Sequence, residues 1–221
     1  MMLLAGLCAM ALGAEGIQFA PDRPGVGDST VTTGPGHVVI ELGFAAALTQ
    51  RSTTLSTGGL IGRIGLDDGL ELRVRLPDPF VTEGDFGVGP AGLGAKVGGV
   101  LNDRWSSSVV AELQVDPNDG TVGGFLGGNV AAAFDRVGVW LAGSAAGSNA
   151  VTVFAGGGLG YNVDDGGVYV NAGYDFGGST LAGVGAYLLP GEAFQVDASF
   201  DVAVADGQTT WLPSFGVAFG L

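Results

Sequence analysis

The sequence predicts an all-β fold, a closed antiparallel up-and-down transmembrane β-barrel of about twelve strands. Three observations lead there. From Pro35 onward, segments of roughly nine to twelve residues alternate apolar and polar positions, the period of a strand with two unlike faces and the length a tilted strand needs to cross a bilayer. Charged residues make up only 14% of the chain, with Lys96 the single lysine, against about 25% in a typical soluble domain. The links between segments are tight on the side expected to face the periplasm, while the longest link, "PDPFVTEGDFGVGP", falls on the other side.

The chain opens with "MMLLAGLCAMALGAEG", which reads as a secretory leader over residues 1–14, with a cut near Gly13 or Ala14. Cys8 lies inside it, so the exported chain is expected to carry no cysteine and no disulfide framework. Residues 15–35 form an N-terminal segment, periplasmic or plugging, and residues 36–221 the barrel. The first strand, "HVVIELGFA", sets Val38, Ile40, Leu42 and Phe44 against Glu41. "GLIGRIGL" opposes Leu60, Ile64 and Leu66 to Arg63, and "GLELRVRL" opposes its leucines and Val74 to Glu71, Arg73 and Arg75. "AGLGAKVGGVL" carries Lys96, and "WSSSVVAELQV" carries Glu112 and Gln114 behind Trp105, Val109 and Leu113.

Contrast falls in the middle of the chain. "FLGGNVAAAF" and "VGVWLAGSAA" flank Asp135-Arg136, while "VTVFAGGGLGYNV" and "VYVNAGYDF" flank "DDGG". "LAGVGAYLL" is a weakly patterned tenth strand. "FQVDASFDVAV" alternates throughout, and "WLPSFGVAFGL" closes the chain with Trp211, Phe215, Val217 and Phe219 on one face. Trp105, Phe134 and Trp211 fall near strand ends, where interfacial aromatic girdles are found.

Every strand thus has one apolar face, and the opposite faces carry Gly, Ala, Ser and Asn instead of the Lys, Glu and Thr of a soluble sandwich. A sheet in lipid must close, because no water satisfies an open edge. The expected partners are therefore membrane lipid and a small-molecule solute, and the expected location is the outer membrane of a Gram-negative bacterium. A formal net charge of -14 excludes nucleic acid as a partner. The lone histidine, His37, and the cysteine-free exported chain point to no enzyme, no metal site and no cofactor. "VDPNDGTVGG" has the flavour of a calcium loop, although acidic loops are usually solvated turns.

With the apolar faces in lipid, Glu41, Arg63, Glu71, Arg73, Arg75, Lys96 and Glu112 project into the lumen. Acid and base alternate between neighbouring strands, so cross-strand ion pairs are expected. They either form a charged constriction that selects solutes or a salt-bridge plug that fills a narrow barrel. Elsewhere Phe125, Trp140 and Phe154 sit among Gly and Ala, a candidate path for apolar solutes. The bland reading is that Gly and Ala let the barrel curve and pack. Asp175, Asp197 and Asp201 give that wall a negative tint.

The stretch "APDRPGVGDSTVTTGPGHVVIELGFA", with its Asp-Arg-Pro-Gly box, Ser/Thr-rich run and "ELGF" strand, resembles the opening of the outer-membrane transporter-like family named for the MetA pathway of phenol degradation. "IGLDDGLELRVRL" looks like that family's second hairpin and "GLGAKVGGVL" like its following strand, so the resemblance spans roughly Pro21 to Leu101. The Asp that often precedes the Gly-Ala-Lys strand is absent from "PAGLGAK". The resemblance implies passage of small, often aromatic or hydrophobic compounds across the outer membrane. The alternative carried alongside it is a structural or surface-interaction barrel whose lumen a Glu/Arg network plugs.

Overall fold

A computed structural model describes Asp22 and residues 27–221. The leader expected over residues 1–14 lies outside the described residues. Among the described residues fifteen strands follow in chain order: β1 (Val38–Leu48), β2 (Thr53–Ser56), β3 (Leu60–Asp67), β4 (Leu70–Leu76), β5 (Pro79–Thr82), β6 (Asp85–Val88), β7 (Ala91–Val100) and β8 (Trp105–Val115). The rest are β9 (Val122–Phe134), β10 (Val137–Gly147), β11 (Val151–Val163), β12 (Gly166–Asp175), β13 (Ser179–Gly191), β14 (Phe194–Ala205) and β15 (Gln208–Gly220). Twelve of them, all but β2, β5 and β6, form a ring that closes where β15 pairs antiparallel with β1, Val39 against Gly220 and Leu48 against Trp211. The predicted barrel and its strand number hold. Among the described residues no helix is long and apolar enough to cross a membrane.

Burial is inverted relative to a soluble protein. Leu93, Leu113, Leu126, Leu141, Leu159, Val184, Phe200 and Phe215 are exposed on the outer surface, while charged side chains are buried inside. A continuous exposed apolar belt of this extent is the signature of a lipid-facing wall. Trp105 and Phe134 lie toward the rim where β1 begins, and Trp211 toward the opposite rim. All three face outward and are about half exposed.

The long link "PDPFVTEGDFGVGP" joins β4 to β7, the third and fourth strands of the ring, and has structure of its own: it folds as β5 and β6, a hairpin turning through Glu83 and Gly84 at positive φ (52° and 96°), the backbone a two-residue hairpin requires. β5 pairs with β2, and β2 pairs with the upper part of β1, so these three strands raise the wall on one side. They are separated from β3, β4 and β7 at one level, where Gly58-Gly59, Pro77-Asp78 and Gly89-Pro90 interrupt the three strands. The buried carboxylate of Asp78 takes the Thr57 hydroxyl hydrogen bond there, and its carbonyl accepts from Gly89 N–H at 2.8 Å. Proline cannot donate to a ladder, which explains both the interruption and the sequence-level reading as loop. The weakly patterned tenth strand is one of the longest, the 13-residue β13.

Candidate functional site: the charged and aromatic lumen

Parity along β1, β3, β4, β7 and β8 directs Glu41, Arg63, Glu71, Arg73, Arg75, Lys96 and Glu112 inward, and all seven are buried. They form one network. Arg63 donates to Glu41 at 2.8 Å and to both oxygens of Glu71 at 2.8 and 2.7 Å. Arg73 donates to Glu112 at 3.0 Å, and Arg75 holds the same carboxylate at 3.1 and 3.2 Å. The pairing is only partly direct. Glu71 lies directly across from Lys96, 4.0 Å away, but Arg63 lies directly across from Arg73, so β3 and β4 set like charges against each other.

A residue outside the strands resolves that clash. The carboxylate of Asp22 sits between Arg63 (3.5 Å), Arg73 and Lys96 (2.7 Å). Its own N–H donates to Glu41 at 2.9 Å, and Ser29 N–H donates to it at 2.9 Å. The chain from residue 27 to 34 runs inside the barrel. Thr30 shares a hydroxyl hydrogen bond with Ser106, Ser108 donates to Ser29 C=O, and Thr33 N–H donates to Glu71 at 2.7 Å. Gly34 passes so close to Gly65 that a Cβ at Gly65 would collide with its carbonyl. The backbone then leaves the lumen through hydrogen bonds between Gly36 and Gly65 and between Gly65 and His37, each 3.0 Å.

The remaining wall is aromatic and acidic. Trp140 lies over Gly158, Phe154 over Gly173, Tyr169 over Gly185 and Tyr187 over Gly167, each ring occupying the space a Cβ on the neighbouring strand would fill. The glycines are thus cradles that hold rings flat against the wall. Trp140 meets Tyr169 edge-on at 6.4 Å, and Tyr187 donates to Asn162 at 2.7 Å. Phe154 packs with Leu181 and, beside them, Ala142, Ala203 and Leu212. Phe125 also faces inward, its ring over Gly127, but it stands apart beside Glu112 on the charged side. Asp175, Asp197 and Asp201 are buried on β12 and β14. They are spread along the barrel's height and do not form a cluster: Asp175 accepts from Gly177 N–H at 2.8 Å, Asp197 from Gln195 at 3.5 Å and Asp201 from Ser199 at 3.1 Å.

Sequence reasoning left out Asp22, Tyr169 and Tyr187. Tyr169 shares the parity of Asn171 and Asp175 on a strand whose other face is continuously apolar, so its inward direction was readable. Asp22 gave no such signal, because it precedes every periodic segment. At the loop between β8 and β9, Asp116 accepts from the Asn118 N–H at 2.8 Å and Asp119 from Thr121 N–H at 2.8 Å. Hydrogen bonds from the Thr121 hydroxyl and N–H draw the Asp119 carboxyl below its usual range. Among the described residues no group of three or more His, Cys, Asp or Glu side chains is placed to hold a metal ion.

No family model matches the chain, and no curated protein matches it. Solved structures do. An outer membrane channel from Pseudomonas putida F1 superimposes with a TM-score of 0.67 at 15% identity, covering 90% of this chain and 99% of that one. The NanC porin gives 0.60 at 9% identity, covering 81% and 98%. The KdgM porin in complex with disordered oligogalacturonate gives 0.56 at 12% identity, with the same coverage. These likenesses show the outer-membrane barrel fold.

Proposed function

We propose that the protein is an outer-membrane channel that passes small hydrophobic or aromatic solutes. The observation that carries this reading is the two-sided lumen. One wall is a buried ion network, and the other presents Trp140, Phe154, Tyr169 and Tyr187 seated on glycines. These rings, themselves buried, give this wall an apolar aromatic lining, the chemistry that receives apolar and aromatic solutes. The channel and porin names of the structural neighbours support passage of a solute. The sequence resemblance to the phenol-degradation family supports its aromatic character.

Purified protein reconstituted into lipopolysaccharide-rich vesicles tests this. Uptake of small phenols, above that of empty vesicles and of sugars of equal size, is the expected result, and combined Trp140→Ala and Phe154→Ala replacements should lower it severalfold. Vesicles that take up phenols no faster than empty ones would overturn the reading. The complete burial of Arg63, Glu41 and Glu71 favours a second one, a structural or surface-interaction barrel plugged by its Glu/Arg network. It predicts no uptake of either solute class.

A further inference from the structure

We infer that Arg63, Arg73 and Lys96 form a carboxylate-binding site that Asp22 occupies as an internal ligand, and that a carboxylate-bearing solute in the lumen competes for it. The site is built by the wall and not by the segment that fills it. β3 and β4 pair in a register that sets Arg63 opposite Arg73, and β4 and β7 set Lys96 beside Glu71. The strands of this half contribute four cations, Arg63, Arg73, Arg75 and Lys96, and three carboxylates, Glu41, Glu71 and Glu112. Arg75 is engaged by Glu112 and Arg63 by Glu41 and Glu71. The wall alone therefore carries one cation more than its own acids match, at the point where two guanidinium groups face each other.

The segment supplies the missing charge. The Asp22 carboxylate meets donors only: Lys96 Nζ at 2.7 Å, Arg73, Arg63 Nε at 3.5 Å and the Ser29 N–H. Asp28 adds a second, more peripheral carboxylate 3.3 Å from Arg73. Three cations converging on two oxygens match a carboxylate as a class and are not peculiar to aspartate. Residues 27–34 are also tied to the wall by hydrogen bonds of Lys96 to the Ser29 hydroxyl, of Arg63 to Val31 C=O and of Thr33 N–H to Glu71, and by neutral ones between Thr30 and Ser106 and from Ser108 to Ser29 C=O. Asp22 engages all three cations at once, so its exchange for a solute carboxylate would loosen the segment at its main ionic anchor, making the channel responsive to acidic solutes. This rests on the lumen being a solute path.

The test follows the segment and needs no transport. Thr32 is buried within it, so a Thr32→Cys variant in a Cys8→Ala background reports its release through the rate of labelling by a small methanethiosulfonate. Benzoate should accelerate labelling saturably. Benzyl alcohol, and chloride at equal ionic strength, should not. Asp22→Asn should raise the basal rate by about tenfold, the equivalent of one charge-assisted hydrogen bond, and abolish the benzoate response. Asp22→Glu, which keeps the carboxylate, should retain both the slow basal rate and the response. Heat-dependent gel mobility verifies that each variant is a folded barrel. Labelling of the folded parent that benzoate leaves unchanged, or that chloride accelerates equally, would overturn the inference. Because uptake is not measured, failure here leaves the phenol-uptake result standing on its own.

Discussion

Arg63 pairs with three carboxylates, Glu41, Glu71 and Asp22, while fully buried. Its removal leaves carboxylates in a low-dielectric interior without compensation. Arg63→Met should therefore destabilise the barrel by about 3–5 kcal/mol, measured by urea unfolding in vesicles. Arg51, an exposed residue on the β1–β2 turn, should tolerate the same change within about 0.5 kcal/mol. The glycine cradles make a second prediction. A side chain at Gly158 would displace the Trp140 ring. With Trp105 and Trp211 replaced by Phe, Gly158→Val should increase acrylamide quenching of the remaining tryptophan. The sequence placed Trp140 and Phe154 inside by parity alone. What it could not show is that the glycines beside them are filled, since that depends on which strands neighbour one another and in what register.

At the scale of elements, the hairpin β5–β6 separates pattern from punctuation. "PFVT" and "DFGV" alternate as strands do, with Val81 and Phe86 facing outward, yet Pro77, Pro79 and Pro90 signal a loop. Both signals are physical: the prolines interrupt the ladder at one level, and the strands resume beyond them. The turn at Glu83-Gly84 projects from the raised wall and has nothing packed against its glycine. A short epitope inserted there should leave heat-dependent gel mobility intact and bind antibody on whole cells. Strands with strong contrast, such as β4 and β14, were legible end to end. β13 was not, because Ala182, Gly183, Gly185 and Ala186 give neither face a hydropathy of its own. Ion-pair partners were legible only as a set: strand parity gave the inward direction, whereas the opposition of Arg63 and Arg73 required the register.

For the whole molecule, the inverted burial predicts opposite responses on the two faces. Leu141 lies mid-strand on β10 with 69% exposure toward lipid, so Leu141→Arg should cost about 2–4 kcal/mol. Measured in the same vesicles, Ala142→Ser on the inward face of that strand should cost less than about 1 kcal/mol. The closing seam also has a consequence in time. Val39 pairs with Gly220, so the first barrel strand waits for the last before the ring is complete. Hairpins between sequence neighbours can zip early, whereas this contact spans nearly the whole chain and carries the greatest loop-closure entropy. Residues 27–34 enter the lumen from the foot of β1 and end up surrounded by all that follows them. Folding therefore has an order: the leading segment must be laid in place before the seam shuts, or be threaded afterwards through a finished ring.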